Sequence, residues 1–123
     1  NELGGLSGRP IRDISTKLIK KFYKETKKNI AIIGVGGVDS GESAFEKIAA
    51  GATAIQLYTG MVYKGPTVVK EIKKELISIL KNKKIKNISE AVGINTWPEI
   101  PQELYNFRKI LCLKDANYPV CHP

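Results

Sequence analysis

From residue 30 onward, solid apolar runs alternate with stretches whose apolar positions recur every three or four residues. The first run, "IAIIGV" (30–35), is β-branched and uniformly apolar, as expected of a strand covered on both faces in a parallel sheet. The second, "TAIQLY" (53–58), has the same character with one polar position, Gln56. Helical spacing governs the rest. In "DISTKLIKKFYKETKK" (13–28), Ile14, Leu18 and Phe22, flanked by Ile19 and Tyr23, recur at three or four residues, the signature of an amphipathic helix. Asp13 or Ser15 is placed to cap its start, because a short side-chain oxygen accepts an otherwise unpaired backbone N–H. "SGESAFEKIAAG" (40–51) predicts a second helix, opened near Ser40 or Glu42 and stopped by Gly51. "GPTVVKEIKKELISILKNKK" (65–84) predicts the clearest one, with Pro66 in its first turn and a stripe of Val69, Ile72, Leu76 and Ile79 or Leu80. "ISEAVG" (88–93) predicts one more helical turn, capped by Ser89.

The order is therefore loop, helix, strand, helix, strand, helix, which implies a right-handed parallel βαβ unit in an α/β fold. Two parallel strands leave open edges, and both helical stripes need partners. The pattern thus predicts part of a barrel or doubly wound sheet. The opening "NELGGLSG" already reads as the middle of a fold and carries no initiating Met, so a piece of a longer chain is expected. After Thr96 the pattern breaks. Prolines at 98, 101, 119 and 123 leave only a short possible helix around residues 101 to 114, and residues 95–123 read as a separate extension.

Composition adds few restrictions. The 123 residues, 42% hydrophobic and 26% charged, suit one globular domain or a portion of one. A formal charge of +8 raises the question of nucleic acid or an anionic membrane surface. The lysines, however, interleave with apolar residues at helical spacing, as on the solvated faces of amphipathic helices, and no aromatic run among them offers a base-stacking surface. No nucleic-acid partner is expected. Cys112 and Cys121 fit no zinc spacing, even with His122 beside the second, so neither a metal site nor a disulfide framework is expected. The longest apolar run, Ile30 to Val38, is too short to span a bilayer.

The candidate chemistry lies at the ends of the two apolar runs. Gly34, Gly36 and Gly37 follow the first, and Tyr58-Thr59-Gly60 closes the second. A dinucleotide fingerprint fails, because its third glycine falls on Asp39. A nucleotide-triphosphate loop nearly fits "GGVDSGES", but its essential lysine is replaced by Glu42, which has the wrong charge. A third design, the phosphate site of an α/β barrel, needs small residues after one strand, small or polar ones after the next, and a nearby helix N-terminus. Gly36, Gly37, Tyr58 and Thr59 satisfy the residue types. The rival reading is a sharp strand-to-helix turn with no ligand, and spacing alone leaves both open.

Several linked motifs decide between them by resemblance. "GGLSGRPI", "IIGVGGVDSG", "EKIAAGA", "QLYTG" and "YKGP" follow the order and spacing of the C-terminal part of class 2 dihydroorotate dehydrogenases, with the likeness running from about residue 3 to residue 94. "LSGRPI" favours class 2 over the soluble class 1 enzymes. The resemblance implies a (β/α)8 TIM barrel with FMN at the C-terminal ends of its strands, of which residues 1–94 supply the last two strands and their helices. It places Ser7 and Gly8 beside the flavin, Gly36 and Gly37 on its phosphate, and Tyr58 and Thr59 on the far side of the phosphate. It also implies dihydroorotate, orotate and quinone as substrates and products in pyrimidine (UMP) synthesis. The family's serine base, flavin-proximal lysine and orotate-binding asparagines belong to earlier strands, so no catalytic residue is expected in this chain and the chain alone should be inactive. The family's N-terminal helices form the quinone tunnel and dock on the bacterial cytoplasmic or mitochondrial inner membrane, so that location is implied for the full-length protein. Residues 95–123 match nothing in the family pattern. An alternative from another class is a non-catalytic phosphate-binding or interaction fragment of barrel type.

Overall fold

The computed structural model describes residues 4–96. The possible helix around residues 101 to 114 and the Cys112, Cys121 and His122 group lie outside the described residues, as does most of the expected extension. A short 3-10 turn, Arg9–Ile11, leads into α1 (Arg12–Glu25), followed by β1 (Ile33–Gly34), α2 (Gly41–Ala49) and β2 (Ala54–Ile55). Then come α3 (Thr59–Lys64), α4 (Val68–Asn82), α5 (Ile88–Ala91) and a final 3-10 turn, Ile94–Thr96. β1 and β2 pair in parallel, Ile33 opposite Ala54 and Gly34 opposite Ile55, so the expected βαβ unit forms with α2 as its crossover.

α2 is the centre of the packing, because its small and apolar residues let neighbours approach from several sides. Ala44 joins Val38, Val68 and Ile72 against α4. Phe45, Ile48 and Ala49 meet Ala91 of α5, with Leu76, Ile79 and Leu80 of α4 covering them. Ile19 of α1 packs with Ala50 and Ala52 just beyond the helix, and Ile55 of β2 borders all three groups. The stripe expected on α4 is thus the face that meets α2. The start of α2 is closed by its own residues: the Ser40 side chain accepts the Ser43 N–H, and the Ser43 hydroxyl accepts the Ser40 N–H. The next N–H, that of Gly41, goes to the Glu75 carboxylate of α4. Gly51 follows the C-terminus at φ 119° against the Tyr23 ring, as a helix stop should.

Four expectations need correction. The runs at 30–35 and 53–58 are not covered on both faces: Ile33 is 61% exposed, and Val35, Ala54, Gln56 and Tyr58 are also exposed, while Gly34, Ile55 and Leu57 turn toward α2. An alternating pattern of this kind shows one packed face and one open face. On α1, by contrast, Ile19 and Tyr23 are buried and Ile14, Leu18 and Phe22 form an open stripe, the unpartnered face that the pattern predicts. Neither Asp13 nor Ser15 caps α1, whose N-cap position is Ile11 without a side-chain bond; the Ser15 hydroxyl is committed to the Val35 carbonyl. Pro66 lies just ahead of α4, whose N-cap is Thr67, and Asn87 rather than Ser89 caps α5.

Candidate phosphate-binding site

Three segments end together at the C-terminal end of the short sheet. Ser7 and Gly8 precede the first 3-10 turn, Gly36 and Gly37 follow β1, and Tyr58 and Thr59 follow β2. All six residues expected at the cofactor site line one small cavity of about 40 Å³, together with Gln56. The Thr59 hydroxyl donates to the Ser7 hydroxyl at 2.9 Å, tying the first segment to the third. Gly60 packs so closely on the Val38 carbonyl that a Cβ would collide with it, which draws α3 onto the glycine loop.

The backbone donors are the chemical content of this cavity. Among the described residues, no protein acceptor takes the N–H of Gly36, Gly37 or Thr59. Unpaired donors that surround a cleft need water or an acceptor ligand, and several N–H groups with two hydroxyls suit an oxyanion such as phosphate. The N-terminus of α2 does not line this cavity, and its Gly41 and Ser43 N–H groups are taken by Glu75 and Ser40. The helix-terminus part of the barrel design is therefore absent at α2, and the loop amides carry the site.

Charge around the cavity is balanced to favour an anion. Asp39 is the nearby acid, and Arg9 meets it at 2.6 Å, while Lys64 donates to the Asp39 backbone carbonyl at 2.8 Å. Burial pushes the Asp39 carboxyl up, but the hydrogen bond and charge of Arg9, aided by Lys64 and Arg12, hold it below the usual carboxylate range. Asp39 thus links all three segments: Arg9 follows Ser7-Gly8, and Lys64 ends α3. Sequence reading used Asp39 only to reject the dinucleotide fingerprint and passed over Arg9 and Lys64. The signal available was a cation immediately after Gly8 and an acid two residues after Gly37, matched across the strand ends.

Behind the loop lies a second polar layer. Arg12 of α1 forms a two-point pair with Glu46 of α2, at 2.8 and 2.9 Å. Next to it Lys47 is fully buried, and its ammonium donates to the Ser15 and Thr16 hydroxyls at 3.1 Å each and to the Arg12 carbonyl at 3.5 Å. Burial lowers the Lys47 pKa, with the Arg12 charge acting in the same direction against Glu46 and Asp13. A larger cavity, about 260 Å³, sits at the other end of α1 beside Tyr23, Lys24, Lys27 and Thr96 and contains none of the expected site residues.

Residues 1–80 match the family described as "Dihydroorotate dehydrogenase". The chain belongs to the dihydroorotate dehydrogenase family. It is 48% identical over 95 residues to "Dihydroorotate dehydrogenase (quinone), mitochondrial" of Mus musculus, covering 77% of this chain and 24% of that protein. It is 50% identical over 93 residues to "Dihydroorotate dehydrogenase (quinone)" of Trichodesmium erythraeum, covering 76% and 25%. Among solved structures, the ligand-free DHODH of Eimeria tenella superposes with a TM-score of 0.76 at 44% identity, covering 79% of this chain and 27% of that one. The chain spans about a quarter of the length of these relatives. The quinone-linked names of the relatives agree with the class 2 likeness read from "LSGRPI". Among the described residues no helix is long and apolar enough to cross a membrane.

Proposed function

We propose that this chain is the C-terminal segment of a quinone-linked dihydroorotate dehydrogenase, residues 1–94 supplying the last two strands of a (β/α)8 barrel and the site for the FMN phosphate, with residues 95–123 an extension outside the family pattern. The observation that carries the reading is the convergence of Ser7, Gly8, Gly36, Gly37, Tyr58 and Thr59 on one cavity with unpaired loop amides. The residues present fit the phosphate of FMN: the donors are neutral amides and hydroxyls, and the Asp39 carboxylate beside them is paired with Arg9. When bound, FMN supplies the hydride acceptor for oxidation of dihydroorotate to orotate, and quinone takes the electrons onward. The chain's own residues hold and orient the phosphate end, with Thr59 and Ser7 on one side and the Gly36-Gly37 loop on the other. The open face of β1 and β2 is the side on which the remaining strands of the barrel would close.

Localisation at the bacterial cytoplasmic or mitochondrial inner membrane belongs to the full-length protein in this reading and rests on the quinone acceptor. The base that takes the substrate proton lies outside this chain, so the purified 123-residue chain should form no orotate. The full-length protein should be yellow as purified and should reduce a soluble quinone when given dihydroorotate. A colourless full-length protein with no affinity for FMN would favour the binding-fragment alternative, and orotate formation by the 123-residue chain alone would overturn the assignment of the base.

A further inference from the structure

We propose that Lys47 is a positioning residue for this anion site, holding Ser15 so that Ser15 fixes the Val35 carbonyl and aims the Gly36 N–H into the cavity. The inference rests on the phosphate reading above and adds residues from α1 and α2 that sit outside the cavity lining.

Lys47 is an expensive residue to place where it is. Its side chain is 0% exposed, and a buried ammonium is tolerated only when its donors are met. The adjacent carboxylate, Glu46, is committed to Arg12, so the partners of Lys47 are neutral: two hydroxyls and a carbonyl, all on α1. For packing alone, a methionine or leucine would fill this position without that desolvation cost. A functional demand on the charge explains this placement better than core filling does.

The geometry shows what the charge reaches. Ser15 accepts from Lys47 Nζ at 3.1 Å and donates its own O–H to the Val35 carbonyl oxygen, forming a chain from ammonium to hydroxyl to carbonyl. The carbonyl of Val35 and the N–H of Gly36 belong to one peptide plane and point in opposite directions. Fixing the carbonyl toward α1 therefore turns the N–H the other way, toward the cleft. Ser15 also lies directly under the loop, since a Cβ at Gly36 would come within 3.2 Å of its Cβ and Oγ. A carbonyl that accepts a bond backed by a cation polarises its peptide, and the N–H of that peptide becomes a better donor. Lys47 thus strengthens and aims a phosphate donor without touching the ligand.

The test compares FMN with riboflavin, which lacks the phosphate, titrated into the flavin-free form of the full-length protein that carries this chain. The variants are Lys47→Met, Ser15→Ala and the double substitution. Each single variant should weaken FMN binding about tenfold, the loss of one charge-backed hydrogen bond, and leave riboflavin affinity unchanged. The double variant should be no weaker than the weaker single one, because both break the same chain. Equal loss for both flavins would show that Lys47 serves only the fold and would overturn the inference. If Lys47→Met does not fold, Ser15→Ala decides alone, since it removes one oxygen from a half-buried position. If the unaltered protein binds both flavins equally, the phosphate reading itself fails. If it prefers FMN and the variants keep that preference, the reading stands and only the role of Lys47 is lost.

Discussion

At Gly37 the backbone sits at φ 71°, and a Cβ would lie 2.6 Å from that of Arg12 and 3.0 Å from the Gly8 carbonyl oxygen. Both the turn and the packing require glycine there, with or without a ligand. Loss of flavin in Gly37→Val would therefore not separate a phosphate site from a tight turn, and Thr59→Val does so better. That near-isosteric change removes the hydroxyl bonded to Ser7 and should weaken FMN binding roughly three- to tenfold, one hydrogen bond's worth. It should leave riboflavin affinity unchanged when both are titrated. Gly51 is the helix stop expected from the sequence. The structure shows φ 119° and a Cβ position in collision with Tyr23 Cγ, so Gly51→Ala should cost about 1–3 kcal/mol in urea unfolding. Asp39 carries a pH signature. Its folded carboxyl titrates below the ordinary range, so the native state binds fewer protons than the unfolded state between the two values. The stabilisation is present above the ordinary carboxylate range and is lost as pH falls through the lowered one. Arg9 is largely exposed, which screens the pair, so Asp39→Asn should cost about 0.5–1 kcal/mol at neutral pH. The difference from the unaltered protein should close in strong acid, which urea titrations at the two pH values would show.

Helices were more legible than strands, and their caps less legible than their faces. The stripe on α4 was readable because Val69, Ile72, Leu76 and Leu80 recur at helical spacing and meet a single partner, α2. Ser40 was readable as a start because a hydroxyl followed three residues later by a second hydroxyl closes both amides. Ser40→Ala should cost about 1 kcal/mol, measurable by chemical unfolding. The short helix α3 went unread: its six residues bury no side chain, so it leaves no periodic stripe, and "TGMVYK" reads as well as a strand end. The strands were found but their covering was misjudged, because apolar residues on an open face and on a packed face are written with the same letters. The glycine pair and the family motifs together picked out six residues that the fold brings to one cavity. The support behind them, from Arg9, Asp39 and Lys64 in front to Ser15 and Lys47 behind, was not picked out. Those contacts join residues 25 to 32 positions apart, a pairing that no local pattern encodes.

Among the described residues, one side is packed and the other is open to water. Ile33, Val35 and Tyr58 on the sheet, and Ile14, Leu18 and Phe22 on α1, are exposed, and apolar surface of this kind drives association. The 123-residue chain by itself should therefore sediment as oligomers or aggregates, and a monomer with a sharp cooperative melting transition would count against the open faces as barrel contacts. The charge of +8 adds no second function to this picture, since its lysines are largely spread over solvated helix faces. The assignment of the FMN phosphate to the Gly36-Gly37 loop is tested most directly by amide spectra of the full-length protein labelled with 15N-glycine. Adding FMN to the flavin-free protein should move the Gly36 and Gly37 amide protons strongly downfield, as strong hydrogen bonds to an anion do, while riboflavin should leave them near their starting positions. Flavin binding that leaves both amides unmoved, or moves them equally with and without the phosphate, would contradict the assignment.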